Sequence, residues 1–313
     1  MDSFLYFNRY IRSLVACSGL AVAAVLSPLS GWAQENSAPG IIYIEPLFEY
    51  PVAPEDLTTL EAKSNWLLQH FWDSFDFKNK GAVDQNALND AFSVWSNPMQ
   101  WADKEVVLGS TDRLISNIAK NPTMVMQFTK AAEENLYGPR AMAYIDEVYV
   151  KFLEAMVKNK KLPEARKARY ARQLRLLKNT LVGSIPPSFK FQSPSGATET
   201  FRPGLLTVIE FGDPGCSDCR HAKLKMDTDL TFSSLVEKGK INVLFIIPDP
   251  EDGWEGELSD YPKLWHTGAS DEVSDIYDMR STPYFYVLGT DGKIIDKSDN
   301  VERAMAKAIE NVK

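Results

Sequence analysis

The 313-residue chain has only three cysteines and three histidines, too few for a disulfide-framed scaffold or for several closed zinc sites. It lacks an excess of positive charge, its net charge being −8, which argues against nucleic acid or an anionic membrane surface as partner. No internal repeat of convincing period is present. Its strongest apolar stretch, Leu14 to Leu26, is too short to favour a lasting membrane span. At 44% hydrophobic and 24% charged the chain is neither disordered nor fibrous in composition, and it is long enough for a sizeable core and two domains.

The amino terminus has the pattern of an export signal. Arg9 and Arg12 precede the apolar stretch, and small residues then lead to Gly31, Trp32 and Ala33, a fitting cleavage site before Gln34. Residues 1–33 are therefore expected to be a signal peptide, and the protein to be exported to the periplasm or cell envelope. Leu14 to Cys17 also fits a lipoprotein cleavage box, but almost no apolar run precedes Cys17. Membrane association would follow only from lipidation at Cys17, and a cleaved chain keeps only Cys216 and Cys219.

Prolines punctuate residues 34–54, an extended lead-in in which Ile41 to Ile44 either adds a short strand or packs on the body. From there to residue 182 the period is helical. Leu60, Leu67, Leu68, Phe71, Trp72 and Phe75 form one stripe. Asp84 is expected to start another helix, Asn121 and Pro122 a third, and Pro163 a last one. Trp66, Trp72, Trp95 and Trp101 at this spacing are expected in the core, and the basic segment from Lys158 to Arg175 on a solvated helix face. Residues 55–182 are thus predicted to be an all-α domain, and 183–313 a second domain built on a mixed sheet.

The second domain centres on Thr207 to Met226. Val208 to Gly212 has the pattern of a buried strand, Asp213 to Gly215 of a turn, and Cys216 onward of a helix expected to run to about Glu237. Cys216, Ser217, Asp218 and Cys219 therefore place a CxxC where a strand hands over to a helix. Free N–H groups at a helix start stabilise a thiolate, the attacking species in disulfide exchange. Cys216 is the exposed candidate nucleophile, and Cys219, one turn further in, can resolve a mixed disulfide formed by Cys216. Glu210 is either a solvent-facing strand residue or, among Val208, Ile209 and Phe211, a buried acid. In the second case it can exchange a proton with Cys219 near neutral pH.

Strand, turn, CxxC and helix in this order resemble the active site of the thioredoxin-like family. The match covers roughly residues 184–313. The resemblance implies that Glu210 moves the proton of the second cysteine. It further implies that Thr282 and Pro283, ahead of the apolar run Tyr284 to Leu288, form the cis-proline loop that holds substrate backbone. Alternation at Phe189, Phe191, Thr198 and Thr200 around a turn resembles the hairpin that opens the TlpA-like and ResA-like members. A helical domain ahead of such a domain resembles an architecture of Bacteroidetes envelope proteins. The departures are Gly215, where an aromatic residue is usual, and Ser217 with Asp218 between the cysteines.

What the resemblance implies is an exported thiol-disulfide oxidoreductase that reduces or isomerises disulfides of envelope proteins. Its partners would be protein thiols and disulfides and an upstream electron donor. The helix end favours the Cys216 thiolate by about 0.3–1 kcal/mol, while Asp213 and Asp218 oppose it by about 0.5–1 kcal/mol each, so a reducing rather than strongly oxidising protein is expected. The competing readings are a binding protein on a thioredoxin-like scaffold, and a copper-delivery protein. No cofactor and no metal is assigned. His70, His221 and His266 are the remaining zinc candidates, and His221 falls on a different side of the helix from Cys216. The acidic loop from Pro248 to Pro262 lacks the oxygen-ligand spacing of a calcium site and is expected to be solvated.

Overall fold

Capping residues start the helices where the sequence marks them. The computed structural model describes residues 45–79, 81–139, 141 and 144–312. The expected signal peptide, Cys17 and the Ile41 to Ile44 stretch lie outside them. Thr59 caps α1 (Leu60–His70) by accepting from Ala62 N–H, and Asp84 caps α2 (Gln85–Ser96) by accepting from Ala87 N–H. After α3 (Lys104–Ile118), Asn121 accepts from Thr123 and Met124 N–H at the head of α4 (Pro122–Leu136), with Pro122 in the first turn. Then come α5 (Asp146–Lys158) and α6 (Glu164–Asn179), which begins directly after Pro163.

The apolar stripes of these helices meet in one core, in which Leu68, Phe71, Leu88, Phe92, Trp95, Phe128 and Phe152 are almost fully buried. Trp72 joins them, while Trp101 is exposed at 37%. Phe48, edge-on, and Tyr50, tilted, meet Phe71 at 5.4 and 5.1 Å between ring centres, so this part of the lead-in packs on the body.

The rest of the described chain forms a seven-stranded mixed sheet flanked by helices, a thioredoxin-like α/β/α arrangement. Its elements are β1 (Phe189–Gln192), β2 (Thr198–Phe201), β3 (Thr207–Phe211), α7 (Ser217–Thr228), α8 (Leu230–Glu237), β4 (Asn242–Ile247), α9 (Trp254–Glu257), β5 (His266–Ala269), α10 (Val273–Ile276), β6 (Tyr284–Leu288), β7 (Ile294–Ser298) and α11 (Val301–Glu310). The spatial order is β2-β1-β5-β4-β3-β6-β7. Strands β3, β4 and β5 run parallel, and β6 is antiparallel to β3. The opening hairpin pairs Phe191 with Glu199 and Gln192 with Thr198.

Three details depart from the sequence reading. The helix expected from Cys216 to Glu237 is two, because Asp229 adopts an extended backbone and its carboxylate accepts from Thr231 and Phe232 N–H to start α8. Strand β5 carries no strand pattern. A side chain at Gly268 would collide with the Gln192 carbonyl of β1, so close backbone approach selects glycine where a β-former would be expected. The acidic loop is not simply solvated, since Leu258, Tyr261 and Trp265 bury themselves in the sheet core beside α7.

Within the compact unit Ile44–Lys313, helices and sheet are joined by a buried ionic cluster. Arg280 pairs with Asp146 at the start of α5 and, through Nε at 2.9 Å, with Asp278. Lys297 of β7 lies 2.6 Å from Asp146 and 3.6 Å from Asp278. Tyr137 Oη donates to Asp278 at 2.7 Å. The basic face of α6 is solvated as its charge suggests, apart from buried Lys167, and Arg172 donates to the Ser274 carbonyl at 2.8 Å. Burial alone would raise the Asp146 pKa, but Lys297 and Arg280 hold it below the ordinary carboxylate value.

Removing one member of a buried pair leaves an uncompensated charge, which typically costs about 3–5 kcal/mol, whereas an exposed pair contributes at most about 1 kcal/mol. Asp146→Ala is therefore expected to lower stability by several times as much as Glu147→Ala, whose carboxylate pairs with exposed Lys104. Urea unfolding of the two variants checks this. The Asp146 contribution is present above the unfolded aspartate pKa of about 3.9 and is lost as pH falls through the depressed folded value.

Candidate functional site

Strand β3 alternates across the sheet, so Val208 and Glu210 face the core beneath α7 and α11, while Ile209 and Phe211 face the opposite side. Beyond β3 the chain turns through Asp213 to Gly215. The turn is tied by the Asp213 carboxylate, which accepts from Gly215 N–H at 2.7 Å, and by Cys216 N–H, which donates to the Asp213 carbonyl at 3.0 Å. Arg220, one residue beyond the second cysteine, donates to the Gly215 carbonyl at 2.7 Å. The sequence reading missed this guanidinium, which holds the turn from inside the helix.

Cys216 is the N-cap residue of α7 and half-buried, whereas Cys219 in the first turn is fully buried. The two cysteines approach to 3.3 Å. Cys219 Sγ accepts from Asp213 N–H at 3.4 Å, and Cys216 Sγ lies 3.7 Å from the Thr282 carbonyl oxygen. The Thr282–Pro283 peptide is cis, and the loop between α10 and β6 lies against the outer sulfur. Thus the structure brings Cys216, Cys219, Thr282 and Pro283 together from segments far apart in sequence.

Glu210 is fully buried, and neither carboxylate oxygen has a hydrogen-bond partner among the described residues. Its link to the cysteines runs past Gly212. A methyl group there would meet Phe245 at 2.8 Å, Cys219 Sγ at 3.2 Å and a Glu210 carboxylate oxygen at 3.3 Å. Sulfur and carboxylate therefore border the same bare backbone position, and glycine keeps the space between them open. The strand partner of Glu210 on β4 is Phe245, whose ring packs against Tyr261 at 4.6 Å, so apolar surface surrounds the acid where a counter-charge would otherwise sit.

Burial pushes the Glu210 carboxyl well above the ordinary glutamate value, and negative charge on Cys216 pushes it the same way. Burial likewise pushes the Cys219 thiol far above a free thiol. The Asp213 N–H opposes that shift, while Cys216 and Glu210 add to it. Two acids with raised pKa values beside each other can exchange one proton directly. His70 pairs with Asp73 at 2.9 Å on α1 and His266 lies on β5, so both belong to other parts of the molecule. Among the described residues no group of three or more His, Cys, Asp or Glu is placed to hold a metal ion.

Fold and geometry together define a thioredoxin-like fold preceded by a helical region. Comparison with known structures shows the same fold elsewhere. A crystal structure of a thioredoxin-like protein from Bacteroides caccae superposes on 85% of this chain and 99% of its own, with a TM-score of 0.74 at 21% identity, so the two share a fold over both the helices and the sheet. Residues 28–180 match a family model described as a domain of unknown function, DUF5106. The thioredoxin domain of a thiol-disulfide oxidoreductase from Bacteroides vulgatus aligns at 19% identity over 42% of this chain and 98% of its own, with a TM-score of 0.37. A thiol:disulfide interchange protein from Bacteroides sp. aligns at 19% identity over 43% of this chain and 91% of its own, also at 0.37. No curated protein matches the sequence.

A protonated Glu210 is favoured in the folded state, so its contribution to stability is full below the unfolded glutamate pKa of about 4.3 and is lost as pH rises through the folded value. Glu210→Gln stays neutral throughout. Its stability relative to the native chain is therefore expected to rise by up to about 1.4 kcal/mol per pH unit across that window. Denaturant unfolding from pH 4 to pH 8 measures the difference, and a difference independent of pH would show that Glu210 is not held as an acid.

Proposed function

We propose that the protein is an exported thiol-disulfide oxidoreductase that reduces or isomerises disulfides of envelope proteins through Cys216 and Cys219. The observation that carries this reading is the buried, unpartnered Glu210 carboxylate beside the inner cysteine. A structural cysteine pair has no use for an unpaired buried acid, which costs stability.

In the reducing direction the Cys216 thiolate attacks one sulfur of a substrate disulfide. The substrate S–S bond breaks, its first sulfur leaves as a thiolate that takes a proton from solvent, and a Cys216–substrate mixed disulfide forms. Glu210, after releasing its own proton to solvent, accepts the Cys219 proton. The Cys219 thiolate then attacks Cys216 Sγ, and the second substrate sulfur leaves. Two electrons have passed to the substrate, and the chain holds a Cys216–Cys219 disulfide that an upstream dithiol donor must reduce. Thr282 and Pro283 hold the substrate backbone beside Cys216, where the Thr282 carbonyl already borders the sulfur. Residues 1–33 are the export signal in this reading, 55–182 and 183–313 its helical and thioredoxin-like domains.

Direction follows from how much the thiolate is stabilised. The start of α7 favours it, while Asp213 and Asp218 flank it with negative charge. The Cys216/Cys219 pair is therefore expected to have a reduction potential near or below about −250 mV, measured by equilibration with dithiothreitol or glutathione buffers. A value near about −120 mV would make the protein an oxidant. In the same assay Cys219→Ser should accumulate the mixed disulfide and Cys216→Ser should abolish exchange. A pair that exchanges with neither buffer would point to a binding protein instead.

A further inference from the structure

The cis-proline loop has a cleft on each side. One, of about 290 Å³, lies between Asp218 and His221 of α7, the loop, and Glu302 of α11. The other, of about 500 Å³, is walled on one side by Arg169, Arg172 and Gln173 of α6 and on the other by Asp249 and the Ser281–Thr282 backbone. Ser281 and Thr282 border both, and the Thr282 carbonyl oxygen lies 3.7 Å from Cys216 Sγ, so both clefts adjoin the stretch of loop that borders the outer sulfur.

The larger cleft is built in part from the helical region, and it is preformed. Its walls are tied by Arg172 to Ser274 O at 2.8 Å, by Tyr137 to Asp278 at 2.7 Å and by the Asp146–Arg280 pair. Leu176, Phe211, Tyr277 and Met279 give it apolar surface, while the arginines on the rim stay more than half exposed. An apolar lining under a polar rim suits a side chain of a bound polypeptide, with backbone hydrogen bonds to the loop. Its volume is that of a few residues, far beyond what a disulfide bond alone occupies.

We propose that the helical region forms one wall of the substrate site, and that this cleft receives the extended polypeptide flanking the target cysteine. The inference rests on the exchange activity proposed above. It gives the helices a role in choosing between disulfides in extended protein segments and small free disulfides, because only the former reach from Cys216 into the cleft. The linked walls leave no room for the helices to act as a swinging recruitment module.

Filling the cleft tests this. Arg172→Trp narrows it from α6 and Asp249→Trp from the sheet side, while Arg175→Trp lies on α6 outside the cleft lining and serves as control. Exchange rates are measured with disulfide-scrambled, unfolded ribonuclease and with glutathione disulfide, alongside thermal melting. The expected result for either cleft variant is a fall of about tenfold or more in kcat/KM for the unfolded protein, unchanged exchange with glutathione disulfide, and no change in the control. Unchanged rates with both substrates, or equal losses with both, would overturn the proposal. If the native chain exchanges with neither substrate, the oxidoreductase reading fails and this inference fails with it. Exchange that is present but insensitive to both cleft variants overturns only the inference.

Discussion

The buried ionic cluster of Asp146, Asp278, Arg280 and Lys297 is the constraint on which the rest of the arrangement depends. Two acids and two bases balance in charge, and a low-dielectric setting makes each a poor resident without the others. The four residues come from the start of α5, the loop before β6 and strand β7. Satisfying them therefore fixes the helical region against the sheet. Arg280 stands two residues before Thr282, so the same pairing sets where the cis-proline loop meets Cys216.

Around that anchor, polarity is arranged by contrast. The helix–sheet contact buries charges that are paired, whereas the core under α7 buries one carboxyl that is not. Glu210 sits among Phe245, Tyr261 and the inner cysteine, with no cation from β4 opposite it. Paired charge contributes geometry, and in the proposed reading the unpaired acid contributes a proton that can move. Gly212 makes the second possible, because any side chain there would fill the space between sulfur and carboxylate.

The loop after β4 and the helices before β1 extend the fold toward function in the proposed reading. The loop carries Tyr261 and Trp265 into the core beside α7 and closes the apolar surroundings of Glu210. The helices supply Arg169, Arg172 and Gln173 to the cleft by Thr282. Reaction and substrate choice would then draw on different parts of the chain, joined at the cis-proline loop.

Much of this was legible in the sequence where the signal is local. Helical periodicity, Asp84 and Asn121 as caps, alternation in the β1–β2 hairpin, and the strand–turn–CxxC–helix order each depend on neighbours within a few residues, which a sequence displays directly. The break at Asp229 was local too, but a cap inside an otherwise helical pattern resembles an ordinary polar helix residue. Strand β5 escaped because Gly268 answers to the backbone of β1, and nothing in the local sequence marks Arg280 and Lys297 for burial. Burial of the Glu210 carboxyl was half legible, from its apolar neighbours on β3. The tertiary structure alone decided that the carboxyl has no partner, that Asp146 meets Arg280, and that α6 faces Thr282. The physical reason is that pairing and desolvation act between segments more than a hundred residues apart along the chain, and their energies have no counterpart in local pattern.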